Sequence, residues 1–162
     1  MVGDFANYAR GPAVKLVHIQ MHQLLSEVLG LYEANAVPII LNLRAERTQV
    51  HADATRLRQV IHNLLQNAQD ALQGSEHPQI TLSTENHHGE IRLRVQDNGP
   101  GFSAQILARA FEPYMTTKQK GTGLGLAIVK KIVEEHLGHI SIENATYGGA
   151  IIEIGLPLVV EM

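Results

Sequence analysis

The sequence predicts an α/β (α+β) fold, a two-layer sandwich in which helices cover one face of a mixed, mostly antiparallel sheet. Helical and strand-like segments are interspersed along the chain, and the last four strand-like segments are mostly hairpin-like neighbours. That order favours a mixed or antiparallel sheet over a doubly wound parallel one. The length of 162 residues, 44% of them hydrophobic, fits one domain with a short appendage.

The spacing of apolar residues along the chain predicts where the helices and strands lie. A period near 3.6 predicts helices over 23–34, 54–72 and 124–137, and Asp53 is a suitable N-cap for the second. Alternating apolar residues predict the strands, which are 14–20, 37–43, 48–51, 79–85, 90–96, 139–144 and 150–156. Between the last two glycine-rich stretches, residues 109–120 have no regular spacing, and we expect them to form a mobile lid.

Composition excludes several classes of function. A formal charge of −3 without a long basic run argues against nucleic acid as a main partner. No cysteine is present, so neither disulfides nor thiolate metal sites can form. No apolar run approaches the ~20 residues that span a bilayer, and no signal peptide is recognisable. We therefore expect a cytoplasmic polypeptide, and leave open whether its parent is anchored in the inner membrane.

Asn63 and Asn67 lie one turn apart on the predicted helix 54–72, with Asp70 near the same face. An amide oxygen suits one position of an octahedral magnesium whose other ligands are water and phosphate oxygens. Asparagine pairs are also common as solvated or backbone-capping residues, and this helix alone does not decide between the two.

Residues 97–102 read Asp-Asn-Gly-Pro-Gly-Phe and follow a strand. A carboxylate at Asp97 can accept a hydrogen bond from the 6-amine of adenine, where guanine carries a carbonyl. Gly99 and Gly101 would let a flat ligand approach the backbone. An ordinary turn explains the same residues equally well.

Residues 121–126 read Gly-Thr-Gly-Leu-Gly-Leu and open a helix, where free backbone amides can bind phosphate. The run lacks the Lys-Ser/Thr of a P-loop and the last glycine of a dinucleotide-binding fingerprint. Upstream, Phe111 and Tyr114 can anchor the loop, and Lys118 can reach phosphate or remain a solvated lysine. The nine histidines form no set suited to zinc.

Together, in this order, the asparagine helix, the Asp-x-Gly-x-Gly turn, the Phe-x-Pro loop and the Gly-x-Gly-x-Gly helix resemble the N, G1, F and G2 boxes of sensor histidine kinases. These kinases belong to the ATPase superfamily that includes gyrase, Hsp90 and MutL. The resemblance covers about residues 14–156, and residues 111–136 resemble most closely the nitrogen-regulation sensor kinases. It implies a Bergerat-type ATP-binding fold with a left-handed βαβ unit and a flexible lid.

The resemblance also implies residue roles. ATP and Mg²⁺ are the expected cofactors, with Asn67 as metal ligand, Asn63 beside it and Asp97 as adenine acceptor. Gly99 and Gly101 would shape the base pocket, and Lys118 would meet the terminal phosphates. The residues expected to follow the phosphates are Gly121, Thr122, Gly123, Leu124, Gly125 and Leu126.

Three departures from the family pattern matter. Asp70 stands where the family often has a phosphate-contacting lysine, and an anion there suits a magnesium-bound water instead. Asn63 replaces the glutamate that activates water in the gyrase and Hsp90 branch, so transfer to an imidazole is favoured over hydrolysis. The phosphoacceptor box, a histidine followed by an acidic residue and Asn-Pro, is not found, and His136 is interpreted as structural.

These features predict two parts. Residues 1–13 resemble the end of a dimerisation helix and its linker, and residues 14–162 the ATP-binding catalytic domain. The expected partners are the dimerisation domain that carries the acceptor histidine, a response regulator acting on the full-length protein, and a second copy in a homodimeric parent. An anti-sigma-factor-type serine kinase and a non-catalytic ATP-binding module are the alternatives.

Overall fold

The computed structural model describes residues 13–32, 37–112 and 125–160. The helices are α1 (Met21–Leu29), α2 (Ala54–Ala71), α3 (Ala104–Arg109) and α4 (Gly125–Glu135), and a 3₁₀ turn, Gly30–Tyr32, follows α1. The strands are β1 (Val17–Gln20), β2 (Ile39–Leu43), β3 (Gln49–Ala52), β4 (Ile80–His87), β5 (Glu90–Asp97), β6 (His139–Asn144) and β7 (Ala150–Pro157).

Five strands form the main sheet, in the order β2-β4-β5-β7-β6. The β2–β4 pair is parallel, and the other three pairs are antiparallel. A separate antiparallel pair joins β1 to β3. The mixed, mostly antiparallel sheet of the predicted fold class is confirmed, and β5 lies at its centre.

The two faces of the main sheet differ in chemistry. Alternate residues of β5, namely Ile91, Leu93 and Val95, are buried beneath the helices. The residues between them point the other way, and Arg94 binds Glu153 of β7 there at 2.9 Å. Alternation of this kind is expected of a sheet with one solvated face. Within the described ranges, no helix is long and apolar enough to cross a membrane.

The predicted elements are recovered, with one omission. Helix α3 lies between the two glycine-rich stretches, where no helix was predicted, because none of its side chains is buried and so none gives an apolar period. Its start is nevertheless capped, as the Ser103 hydroxyl accepts a hydrogen bond from the backbone N–H of Ile106 at 3.2 Å. Helix α1 also begins at Met21, earlier than its apolar spacing indicates, since the Gln20 side chain caps it by accepting from Gln23 N.

His136, just beyond the end of α4, connects that helix to the start of α2. It is buried, and its Nδ1–H donates to the Ile132 carbonyl at 2.8 Å, which leaves Nε2 to accept from the backbone N–H of Asp53 at 3.0 Å. The Asp53 carboxylate accepts in turn from the backbone N–H groups of Lys15 and Arg56. The hydrogen bond from Lys15 lowers the pKa of Asp53, although burial opposes the shift. His136 therefore has a structural role, holding two helices together.

We predict that His136→Ala destabilises the domain by roughly 1–3 kcal/mol, because it leaves the Asp53 N–H without its acceptor and adds a small cavity. His139→Ala is the matched control. That imidazole is half-exposed and pairs with Glu90 at the surface, so its loss should cost less than about 1 kcal/mol. Urea unfolding of both variants measures the difference, and equal losses would contradict the structural role of His136.

Candidate functional site

Asp97 ends the central strand β5 with its side chain buried (6% exposed). Its Oδ1 accepts hydrogen bonds from two backbone N–H groups, Gly99 at 2.9 Å and Ala150 at 3.3 Å. A buried carboxylate needs such donors, because its desolvation is otherwise costly. The same contacts tie the loop after β5 to the start of β7.

Gly99 and Gly101 owe their identity to the packing of the protein's own atoms. A Cβ at Gly99 would lie 2.9 Å from the Ala71 carbonyl oxygen at the end of α2. A Cβ at Gly101 would lie 2.8 Å from Asn144 Oδ1, and its φ of +81° favours glycine independently. The close approach that the sequence suggested for a ligand is thus already made by α2 and by the end of β6.

Two asparagines that the sequence analysis gave no role hold this loop from opposite sides. The Asn98 side chain accepts from Gln79 N and donates to His77 O, both at 2.8 Å. Asn144 Oδ1 accepts from Phe102 N at 2.7 Å, and its Nδ2 donates to Phe102 O at 2.9 Å. A single asparagine at a strand end has no sequence period, so only Asn98, inside the motif, could have been suspected.

Asn63 and Asn67 are half-buried on α2, one turn apart as predicted. Ala71, which packs against Gly99, lies a further turn along the same helix, so the amides and the loop after β5 share one end of the domain. Asp70, also half-buried, accepts a hydrogen bond from Gln66 Nε2 at 3.1 Å. The structure thus brings the asparagine helix and the Asp97 loop together.

The glycine-rich helix start is described only from Gly125, the first residue of α4. Leu126 is half-buried, and its side chain packs against the core. Phe111 is half-buried too, with Lys130 Nζ 5.3 Å from its ring centroid, which links the predicted Phe-x-Pro loop to α4. The other predicted residues lie outside the described ones, namely Tyr114, Lys118, Gly121, Thr122, Gly123 and Leu124.

A separate groove of about 300 Å³ lies between α1 and α2. Its lining includes Val28, Leu31 and the ion pair Arg58–Glu27 at 2.9 Å. None of the predicted site residues that the structure describes lines it. Among the described residues that line it, the carboxylate is Glu27, which is exposed and paired with Arg58, so the loop after β5 remains the candidate site.

Residues 52–160 match the model of the family described as histidine kinase-, DNA gyrase B- and HSP90-like ATPases. A putative NtrY-like sensor histidine kinase of Rickettsia bellii is 35% identical over 95% of this chain, which corresponds to 26% of that protein. The catalytic domain of histidine kinase ThkA is 31% identical and superposes with a TM-score of 0.78, covering 89% of this chain and 96% of that domain. ThkA in complex with the response regulator TrrA matches 98% of this chain and 46% of that one, at 28% identity and a TM-score of 0.79.

The chain belongs to the histidine kinase-, DNA gyrase B- and HSP90-like ATPase family and has the catalytic-domain fold of sensor histidine kinases. The expected fold and family are confirmed. The chain spans about a quarter of the length of the curated relatives it matches.

Proposed function

We propose that the chain binds magnesium-ATP beside Asp97 and transfers the γ-phosphate to a histidine on a dimerisation domain in two-component signal transduction. The observation that carries this proposal is the buried Asp97 carboxylate, held at the end of β5 by two backbone N–H groups and adjoining the asparagine-bearing end of α2. In this family the expected nucleotide is ATP.

Adenine selection is assigned to Asp97. Its carboxylate, which accepts from the backbone N–H groups of Gly99 and Ala150 through Oδ1, is the group that we assign to the 6-amine of adenine. Guanine would present a carbonyl to the same carboxylate and be repelled. Because the loop is held by side chains of neighbouring elements, the carboxylate keeps its direction before the base arrives, which limits the cost of ordering on binding.

Magnesium is assigned to the Asn67 amide. One neutral oxygen fits a cation that keeps several waters and takes its remaining ligands from the phosphates of the nucleotide. When bound, the cation would neutralise charge developing on the transferred phosphoryl group. Asn63 lies one turn before Asn67 on the same face of α2. Asp70, which accepts a hydrogen bond from Gln66 and lies one turn after Asn67, is assigned to a metal-bound water.

The asparagine at position 63 favours phosphoryl transfer to a histidine over hydrolysis of ATP. An amide there cannot take a proton from water, so position 63 provides no general base for hydrolysis. Phosphoryl transfer depends mainly on positioning and charge stabilisation, and an acceptor imidazole brings its own nucleophile. The relatives described above are histidine kinases, which favours this chemistry over an anti-sigma-factor-type serine kinase or a non-catalytic module.

The remaining assignments concern the parent protein. We assign residues 1–13 to the end of a dimerisation helix and its linker, and 14–162 to the catalytic domain. The complex of ThkA with its response regulator supports a response regulator as downstream partner, and the NtrY-like relatives support the nitrogen-regulation type. A homodimeric parent acting at the cytoplasmic side follows from the same proposal.

We predict that Asp97→Asn weakens ATP binding by about ten- to over a hundred-fold while the domain stays folded. The asparagine oxygen can still accept from Gly99 and Ala150, whereas its NH₂ group would oppose the adenine amine. A hydrogen bond to a charged group is worth roughly 1.5–3 kcal/mol, which gives this range. Calorimetric titration measures it, and unchanged ATP affinity would remove Asp97 from the base pocket.

We predict that Asn67→Ala removes most of the magnesium dependence of ATP binding and has a smaller effect on metal-free binding, since the variant loses the proposed metal ligand. Titrations with magnesium and with EDTA measure both quantities. Gln59→Ala is the control, because Gln59 is exposed on the same helix and lines the separate groove between α1 and α2. A full magnesium effect in Asn67→Ala would assign the metal to another residue.

We predict that the chain alone, given labelled ATP, acquires no stable phosphohistidine, whereas a separately supplied dimerisation domain with an intact acceptor histidine is labelled slowly. Transfer should be weak, because the two domains meet only by diffusion. Acid-labile, base-stable label on the acceptor domain is the expected result. Label on this chain instead, or phosphoserine on an added protein, would contradict the proposed reaction.

A further inference from the structure

The β6–β7 hairpin makes hydrogen bonds to both ends of the loop of residues 97–102. Asn144 is the last residue of β6 and Ala150 the first of β7, and the two face each other as the final pair of the β6–β7 ladder. The Ala150 N–H donates to Asp97 Oδ1, at the start of the loop, while the Asn144 amide binds Phe102, at its end. A single cross-strand pair therefore fixes the distance across the loop.

The contact between Asn144 and Phe102 is reciprocal and demands an amide. Oδ1 accepts from the Phe102 N–H at 2.7 Å while Nδ2 donates to the Phe102 carbonyl at 2.9 Å. A carboxylate of the same shape would place an oxygen against that carbonyl and repel it. Gly101, whose missing Cβ would lie 2.8 Å from Asn144 Oδ1, lets the two groups meet.

The hairpin end has little freedom of its own. Gly149 has a φ of +102°, and a Cβ there would lie 2.9 Å from the Asp97 carbonyl carbon. The Gly149 carbonyl oxygen accepts from Ala145 N at 2.9 Å, which closes the turn. Since the turn packs directly against the backbone of Asp97, movement of the hairpin would be transmitted to the carboxylate.

We propose that Asn144 is a positioning residue for base recognition, one that sets how the Asp97 carboxylate meets the 6-amino group of the purine without touching the nucleotide. The inference rests on the proposed ATP site at Asp97. Without the Asn144 amide, the end of the loop is released while Asp97 and the magnesium-binding face of α2 keep their residues. Recognition of the base should then weaken more than binding of the phosphates.

The matched control is Asn86, near the far end of β4. Its side chain makes the same kind of two-way contact with the backbone, which we call a clamp. Oδ1 accepts from the N–H groups of Glu46 and Arg47 at 3.0 and 2.9 Å, and Nδ2 donates to the Arg47 carbonyl at 2.8 Å. Ile80 pairs with Asp97 at the other end of β4, about 20 Å away at 3.4 Å per residue. Asn86→Ala thus removes an equivalent clamp far from the base.

The test compares the affinities of three ligands: ATP, inosine triphosphate and ribose 5-triphosphate. Each is measured on the wild type, Asn144→Ala, Asn144→Asp and Asn86→Ala. The assay is competition against a fluorescent ATP analogue or, for ligands that displace it weakly, calorimetry. Inosine triphosphate replaces the 6-amine with a carbonyl, and ribose 5-triphosphate lacks the base. We expect Asn144→Ala to lose about ten-fold in ATP affinity, to discriminate less between ATP and inosine triphosphate, and to keep ribose 5-triphosphate affinity within about two-fold. Asn144→Asp should lose at least as much, and Asn86→Ala should match the wild type for all three ligands.

Two results would overturn the inference. ATP affinity in both Asn144 variants equal to that of Asn86→Ala would show that the clamp does not act on the base. A parallel loss for ATP and ribose 5-triphosphate would assign Asn144 a general stabilising role. If Asn144→Ala does not fold, Asn144→Asp and Asn144→Ser carry the same comparison. Failure of the wild type to bind ATP, or to prefer it to inosine triphosphate, would instead refute the proposed function itself.

Discussion

The hydrogen bonds from Gly99 and Ala150 to the Asp97 carboxylate are the interaction on which the site depends. They provide hydrogen-bond donors to a carboxylate that is buried at the end of the central strand β5. They also join the loop after β5 to the start of β7. Buried polar groups that are fully hydrogen-bonded specify one arrangement of their surroundings, because every alternative leaves a donor or acceptor unpaired. The loop therefore has a defined shape before any ligand binds.

The sheet order explains why this interaction can organise a whole site. Because β5 lies between β4 and β7, its end is flanked on one side by the start of β4 and on the other by the β6–β7 hairpin. Asn98 binds the backbone just before β4, and Asn144, at the end of β6, binds Phe102. The end of α2 packs on Gly99. The end of α2, the segment before β4 and the β6–β7 hairpin thus meet at one loop, and the asparagine face of α2 comes with them.

Much of this arrangement could be predicted from sequence, and the rest could not, for physical reasons. Helix α2 was predictable because the capping Asp53 and the apolar period of Leu57, Val60 and Leu64 agree. Helix α3 was not, since no buried side chain marks it. The clamp at Asn144 depends on a contact between residues 42 positions apart, and a lone asparagine carries no periodic signal of such a contact. The glycines at 99 and 101 were found, but their packing against Ala71 and Asn144 appears only in three dimensions.

The most direct test of the account is to map where adenosine, without phosphates, binds on isotopically labelled protein by NMR. The backbone amides of Gly99 and Ala150 share the Asp97 carboxylate that is assigned to adenine, so the account predicts that their resonances move together on adenosine titration. The amide of Phe102, held by Asn144, should move with them. Guanosine at the same concentration should leave these resonances in place. Shifts confined to the groove between α1 and α2, or equal shifts with guanosine, would contradict the assignment of the base site to Asp97.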